Sequence, residues 1–123
     1  MDTRYLCKAK AKKNGEWIIG YYIHTSDGGD YIVNPDRSLQ LDESNAIDVD
    51  TLCRCTGLVD KYSTLIFEND LCRYLSYGTV GYIKNCDIIW LNGEIVKENA
   101  SQSLMTCCDE LKVLDSIIDH PEI

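Results

Sequence analysis

The residues after Arg4 alternate. On an extended chain Cys7, Ala9 and Ala11 fall on one face and Lys8, Lys10 and Lys12 on the other, the period of two that marks a half-buried strand. Asn14-Gly15 follows at once, the dipeptide best suited to a tight hairpin. The next run, Trp17-Ile18-Ile19-Gly20-Tyr21-Tyr22-Ile23, is rich in aromatic and β-branched residues and reads as the return strand. Gly20 inside it marks a bulge or a close backbone approach. A chain that opens in this way is committed to sheet.

The same grammar continues. Ser26–Asp30 reads as a turn, Tyr31–Val33 as a short strand ended by Asn34-Pro35-Asp36, and Leu39 and Leu41 allow another strand. Thr51–Thr56 reads as a strand broken by Gly57, and Val59–Ser63 as a loop. Thr64–Phe67 and Leu71–Leu75 are apolar runs interrupted at Asn69-Asp70, and Ser76-Tyr77-Gly78 is a turn. Val80–Ile83 is a strand, Lys84-Asn85 a turn, and Asp87–Leu91 a strand joined through Asn92-Gly93 to Ile95-Val96. Ala100, Leu104, Cys107, Cys108 and Leu111 match helical spacing over residues 99–110. Lys112–Ile118 is the last strand, stopped by His120-Pro121. Seven to nine short strands with at most one short helix predict a small barrel or sandwich. The pattern tightens near Val49, which places a join between 1–48 and 49–123.

Charge narrows the partners. Net charge is −8, yet residues 1–20 carry five basic and two acidic side chains. An acidic body repels phosphate, which disfavours nucleic acid and confines any such role to Lys8, Lys10, Lys12 and Lys13. Seven cysteines stand beside no secretory leader, since Met1-Asp2-Thr3-Arg4 leads into no apolar region, and no run is long enough to span a membrane. A cytoplasmic protein with reduced thiols and no membrane association is therefore expected.

Thr56-Gly57-Leu58-Val59-Asp60-Lys61 and Ile66-Phe67-Glu68-Asn69-Asp70-Leu71 resemble the T-G-L-x-D-K-x-G-x-x-I-[YFW]-E-x-D-[IVL] signature of the YopX family of phage and prophage proteins. The opening Tyr5–Lys10 with Gly15-Glu16-Trp17 and Gly20-Tyr21-Tyr22 is similar to the start of that family's Gram-positive branch. The closing Ile117–Ile123, with His120-Pro121-Glu122, is similar to the family's I-G-N-I-x-x-N-P-E-L. Where the family carries Asn-Gly after Asp-Lys, this chain has Tyr62-Ser63, which points to a wider loop. The resemblance implies an N-terminal β-rich part, a C-terminal SH3-like barrel and a gene borne by a phage or prophage acting in a bacterial host. It implies no catalytic residue. In the signature Gly57 permits a turn, Glu68 and Asp70 can accept backbone N–H groups at a strand entrance, and Ile66 and Leu71 enter the core; Thr56, Leu58, Asp60, Pro121 and Glu122 complete a set read as structural.

The chemistry-bearing residues form no familiar constellation. Cys53-Arg54-Cys55 on a strand holds its thiols about 7 Å apart, loose for one ion, and adjacent Cys107-Cys108 point apart. His24 and His120 stand beside no cysteine in an activated-nucleophile pattern. The paired acids Asp48/Asp50, Glu68/Asp70 and Asp109/Glu110 are sequence neighbours, which seldom face one another across a cleft. Aromatic residues cluster at Trp17, Tyr21, Tyr22 and Tyr31 and again at Tyr74, Tyr77, Tyr82 and Trp90, as core or as interface. The expectation is a mainly β, non-enzymatic protein-binding adaptor or modulator without cofactor or metal, with an unknown host or phage protein as partner and self-association open. Its candidate binding residues are Lys8, Lys10, Lys12, Trp17, Tyr21 and Tyr22. The rivals are a nucleic-acid-associated regulator using the lysine strand and a small thiol or metal-dependent enzyme.

Overall fold

The opening alternation folds into a hairpin. A computed structural model describes residues 5–34, 41–76, 78–91 and 101–120. The protein is mainly β: 59% of the described residues are strand, in antiparallel sheets, with one short helical segment. It divides into two compact units, 1–55 and 56–123.

In the first unit β1 (Leu6–Ala11) pairs with β2 (Trp17–His24), Lys10 opposite Trp17 and Leu6 opposite Tyr21. The turn is wider than the Asn14-Gly15 pair predicts. Lys12–Gly15 form a four-residue loop, in which Ala11 N–H donates to Glu16 O at 2.9 Å and Gly15 N–H to Ala11 O at 2.8 Å. A two-residue hairpin needs positive φ at both central positions, and here Gly15 has it (71°) while Asn14 does not. The Asn14 side chain instead accepts the Glu16 N–H at 3.0 Å, a local bond that competes with the tighter turn.

β3 (Asp30–Val33) pairs with the other side of β2, and β4 (Ile47–Val59) with the other side of β1, giving the order β3-β2-β1-β4. Gly20 marks a close approach: a Cβ there would lie 2.3 Å from the Val33 carbonyl oxygen. The β1–β4 register slips, so that Lys8 faces Cys53 but Lys10 faces Asp48. Buried Thr51 bridges the slip, its Oγ1 accepting Lys10 N–H at 2.7 Å and donating to Asp48 O at 2.6 Å. The core here is Cys7, Ala9, Ile32 and Ile47, with Ile18, Tyr22 and Leu52 against it.

The join expected at 48/49 differs from the division observed. β4 stays paired with β1 as far as Arg54, which keeps its first part in unit 1. Nor does Gly57 end the strand; it takes φ 81° within β4, a conformation that a ladder tolerates at a glycine.

In the second unit the end of β4 lies beside β5 (Leu65–Phe67). A five-stranded sheet follows, built from β6 (Asp70–Tyr74), β7 (Val80–Lys84), β8 (Asp87–Trp90), β9 (Ser101–Ser103) and β10 (Leu111–Ser116) in the order β10-β6-β7-β8-β9. The helix expected over 99–110 is reduced to α1 (Leu104–Cys107) and a 3-10 turn at Cys108–Glu110, because Ser101–Ser103 pair with β8 instead. The last strand ends at Ser116 and not at Ile118, since Ile117–Asp119 form a 3-10 turn whose Ile118 N–H donates to Ser116 Oγ at 3.3 Å. Leu41 lies in no strand. Pro35, Asp36, Leu39, Tyr77, Pro121, Glu122 and the expected hairpin through Asn92-Gly93 to Ile95-Val96, with Ala100, lie outside the described residues.

The second core is aliphatic and thiol: Ile66, Cys72, Ile83, Ile88, Leu104, Cys107 and Leu111 are fully buried. Among the described aromatic residues only Phe67 is buried; Tyr74 and Trp90, their rings 5.8 Å apart, sit at the rim of this core. A tyrosine hydroxyl or indole N–H is easier to satisfy at a rim, and Tyr74 OH donates to Glu110 Oε2 at 2.5 Å.

Three turns among the described residues use non-glycine residues in the left-handed region, one of them at Asn69 (φ 69°) between β5 and β6. Asn85 and Cys86, at φ 53° and 61°, form the two-residue β7–β8 turn. Ser63 (φ 65°) stands where the resembled pattern has glycine, and Asp60 N–H donates to Thr64 O at 2.9 Å to close that turn. Asp60, 4% exposed, accepts Tyr62 N–H (2.8 Å) and Thr64 N–H (2.9 Å) on Oδ1 and Val113 N–H of β10 (2.9 Å) on Oδ2.

Two stability outcomes follow. Asp60→Ala leaves three backbone donors unmatched and lowers unfolding stability by at least about 3 kcal/mol in urea titration. Ser63→Gly and Cys86→Gly each raise it by about 0.5–1 kcal/mol, because glycine relieves the left-handed strain by more than its added chain entropy costs.

Candidate functional site

The six residues singled out as a binding set are divided by the sheet. Directly opposed residues share a face, so Lys8, Lys10, Trp17 and Tyr21 lie on one side of the β1–β2 hairpin. Lys8 Nζ lies 4.8 Å and Lys10 Nζ 5.5 Å from the Trp17 ring centre, within cation–π range. Lys12 and Lys13 leave the strand for the exposed loop, where Lys12 N–H donates to Ala46 O at 3.0 Å. Tyr22 lies on the opposite face, opposed to Ile32 and packed against Cys7, Ala9, Ile32 and Ile47.

Residues of both faces, at the Tyr5–Cys7 end of β1, line a hollow of about 300 Å³: Tyr5, Leu6, Cys7, Tyr21, Tyr22, Leu52 and Arg54. Its origin is local. Cys7 is flanked by Gly20 on β2 and Arg54 on β4. On the Gly20 side the place of a Cβ is taken by Val33 and Ile32. Tyr5 is 67% exposed at the mouth. Arg54 is exposed and makes no ion pair or hydrogen bond through its guanidinium among the described residues. Burial pushes the Cys7 thiol up, partly offset by the Arg54 charge, so the floor of the hollow is neutral.

Behind the hollow Tyr22 OH donates to Asp30 Oδ1 at 2.5 Å, and His24 Nδ1 lies 2.7 Å from the same oxygen. The β2–β3 register sets this triplet, His24 directly opposite Asp30. The Tyr22 bond, then the His24 bond, holds the Asp30 carboxyl below its ordinary value, and the same bond pushes the Tyr22 hydroxyl up.

Sequence reading reached Tyr21 and Tyr22 but missed Tyr5, Leu52 and Arg54. Alternation does place Arg54 across from Cys53 and Cys55. Its neighbours on β1 depend on the register slip at Thr51.

The signature residues hold backbone. Thr56 Oγ1 donates to Ile66 O at 2.7 Å and accepts Leu58 N–H at 3.2 Å, and Leu58 packs against the second core. Buried Asp70 accepts Phe67 N–H at 2.8 Å, while Glu68 Oε2 reaches Cys86 N–H only at 3.5 Å. Ile66 and Leu71 are buried. All seven cysteines are free thiols, Cys53 and Cys55 among the buried ones. Burial pushes Cys107 up to about 11 and also raises Cys86. Among the described residues no three His, Cys, Asp or Glu side chains converge as a metal site, and no helix is long and apolar enough to cross a membrane. His120 Nε2 lies 3.0 Å from Asp115 Oδ2.

A lowered carboxyl pKa contributes stability above the ordinary value of 3.8, and that contribution is lost as pH falls through the folded value. Thermal unfolding followed from about pH 6 to about pH 2 is expected to fall less steeply below 3.8 in Asp30→Asn than in the parent. Comparison with family models, with curated proteins and with solved structures returned no match.

Proposed function

We propose that this chain is a non-enzymatic protein-binding adaptor or modulator, of the phage and prophage kind that its YopX-like motifs suggest, acting in the cytoplasm of a bacterial host. The same resemblance makes the second unit an SH3-like barrel. The observation that carries the binding reading is the aromatic hollow of the first unit, lined by Tyr5, Tyr21, Tyr22 and Leu52 together with Arg54. Aromatic side chains with arginine are the composition of binding hot spots. Thiols raised by burial, as at Cys7 and Cys107, are poor nucleophiles at neutral pH, which supports binding over thiol chemistry. Lys8 and Lys10 gather on the protein's own Trp17, which supports a protein partner over a run of phosphates.

The test is affinity capture from bacterial lysate with and without nuclease. The expected result is one protein recovered in near-equal amount after nuclease, its yield cut about tenfold by Tyr5→Ala or Arg54→Ala. Capture that vanishes with nuclease overturns the reading in favour of nucleic acid.

A further inference from the structure

The hollow has a charge pattern that narrows its ligand. The protein carries a net charge of −8, yet the wall of this cavity presents an exposed guanidinium with no counter-charge among the described residues. The adjoining acid, Asp30, is taken up by Tyr22 and His24. Cys7 adds no negative charge to the floor. Lys8 and Lys10 do not line the hollow and lie against Trp17 instead. Among the described residues the hollow therefore offers one planar, bidentate cation and no second one in its lining.

We propose that the hollow receives the carboxylate of a single Asp or Glu side chain, carried on an extended segment of a partner protein. This rests on the adaptor reading given above. A guanidinium matches a carboxylate with two parallel N–H···O bonds. A lone arginine suits one carboxylate better than a nucleic-acid backbone, whose affinity grows with the number of phosphates neutralised. The receptor is also a side chain and not a nest of backbone N–H groups, which is the usual means of capturing a chain terminus. A volume of about 300 Å³ holds one or two side chains and not a folded element. Tyr5, Tyr21 and Leu52 then give the segment an apolar contact next to the acid.

The experiment selects binders to the full chain from a displayed library of random peptides with both ends embedded in the display protein. The enriched sequences are then synthesised and their affinities measured by fluorescence anisotropy. The expected result is an Asp or Glu at a fixed position next to an aliphatic or aromatic residue. Replacing that acid by Asn or Gln weakens binding to the parent at least tenfold and changes nothing further on Arg54→Ala, while Arg54→Lys retains part of the affinity. Amidating the peptide C-terminus has no effect. Arg54 is exposed, and an unchanged urea midpoint for each variant separates lost recognition from lost folding. Enriched peptides without a fixed acid, or an acid effect equal in the parent and Arg54→Ala, overturn the carboxylate assignment and leave the adaptor reading standing. Affinity that depends on the free C-terminus overturns it in favour of terminus capture. An oligothymidylate that binds in an Arg54-dependent way, or a selection that enriches nothing, overturns both readings.

Discussion

One buried carboxylate organises the second unit. Asp60 closes its own turn through Tyr62 and Thr64 and receives the Val113 N–H from a strand 53 positions away. A buried acid is costly unless its oxygens are matched. Each bond to it contributes about 1.5–3 kcal/mol, so the three together hold the loop against β10. Lys61 N–H adds a bond to Leu111 O at 3.0 Å beside it. Ser63 then has to adopt a left-handed conformation because the turn around Asp60 leaves it no other. A second buried acid repeats the device: Asp70 holds Phe67 N–H, while Asn69 O accepts Ile117 N–H at 2.7 Å. Among the described residues these two buried acids each accept backbone N–H groups.

The first unit uses a different economy. Its core is thin because β1 contributes Cys7 and Ala9, and β2 contributes Gly20 where β3 comes close. Small side chains let three strands approach, and the place of a Cβ at Gly20 is taken by Val33 and Ile32. The hollow lies beside this contact, with Cys7, Tyr21 and Tyr22 in its lining.

The aromatic side chains show how composition misleads. Tyrosine and tryptophan on strands of a small β protein read most simply as core, yet the interior is mostly isoleucine, leucine and cysteine, and among the described residues every ring but that of Phe67 lies at a rim or in the open. Trp17 makes the point from the other side: its ring is covered by Lys8 and Lys10, so the stripe of lysines is in part the wrapping of an indole. The lysine stripe and Trp17, separate in the sequence, are one feature in space.

The sequence by itself determined the class of structure. Period-two alternation in β1, the aromatic and β-branched run of β2, and the apolar pairs around Asn69-Asp70 are local signals, and each formed a strand. The signature also marked Asp70 as a carboxylate for a backbone N–H at a strand entrance, while Gly57, read there as a turn, lies within β4. The sequence did not determine the width of the Asn14-Gly15 turn, the run of β4 through Gly57, or the strand at Ser101–Ser103, because each is set by a partner strand and not by its own residues. The candidate site lies on the same boundary. Tyr21 and Tyr22 were legible as aromatic residues on a strand. Their separation onto two faces, the junction of Cys7 with Gly20 and Arg54, and the link of Tyr22 to Asp30 were decided only by tertiary structure, since register depends on hydrogen bonds between segments up to 47 positions apart, as Cys7 and Arg54 are.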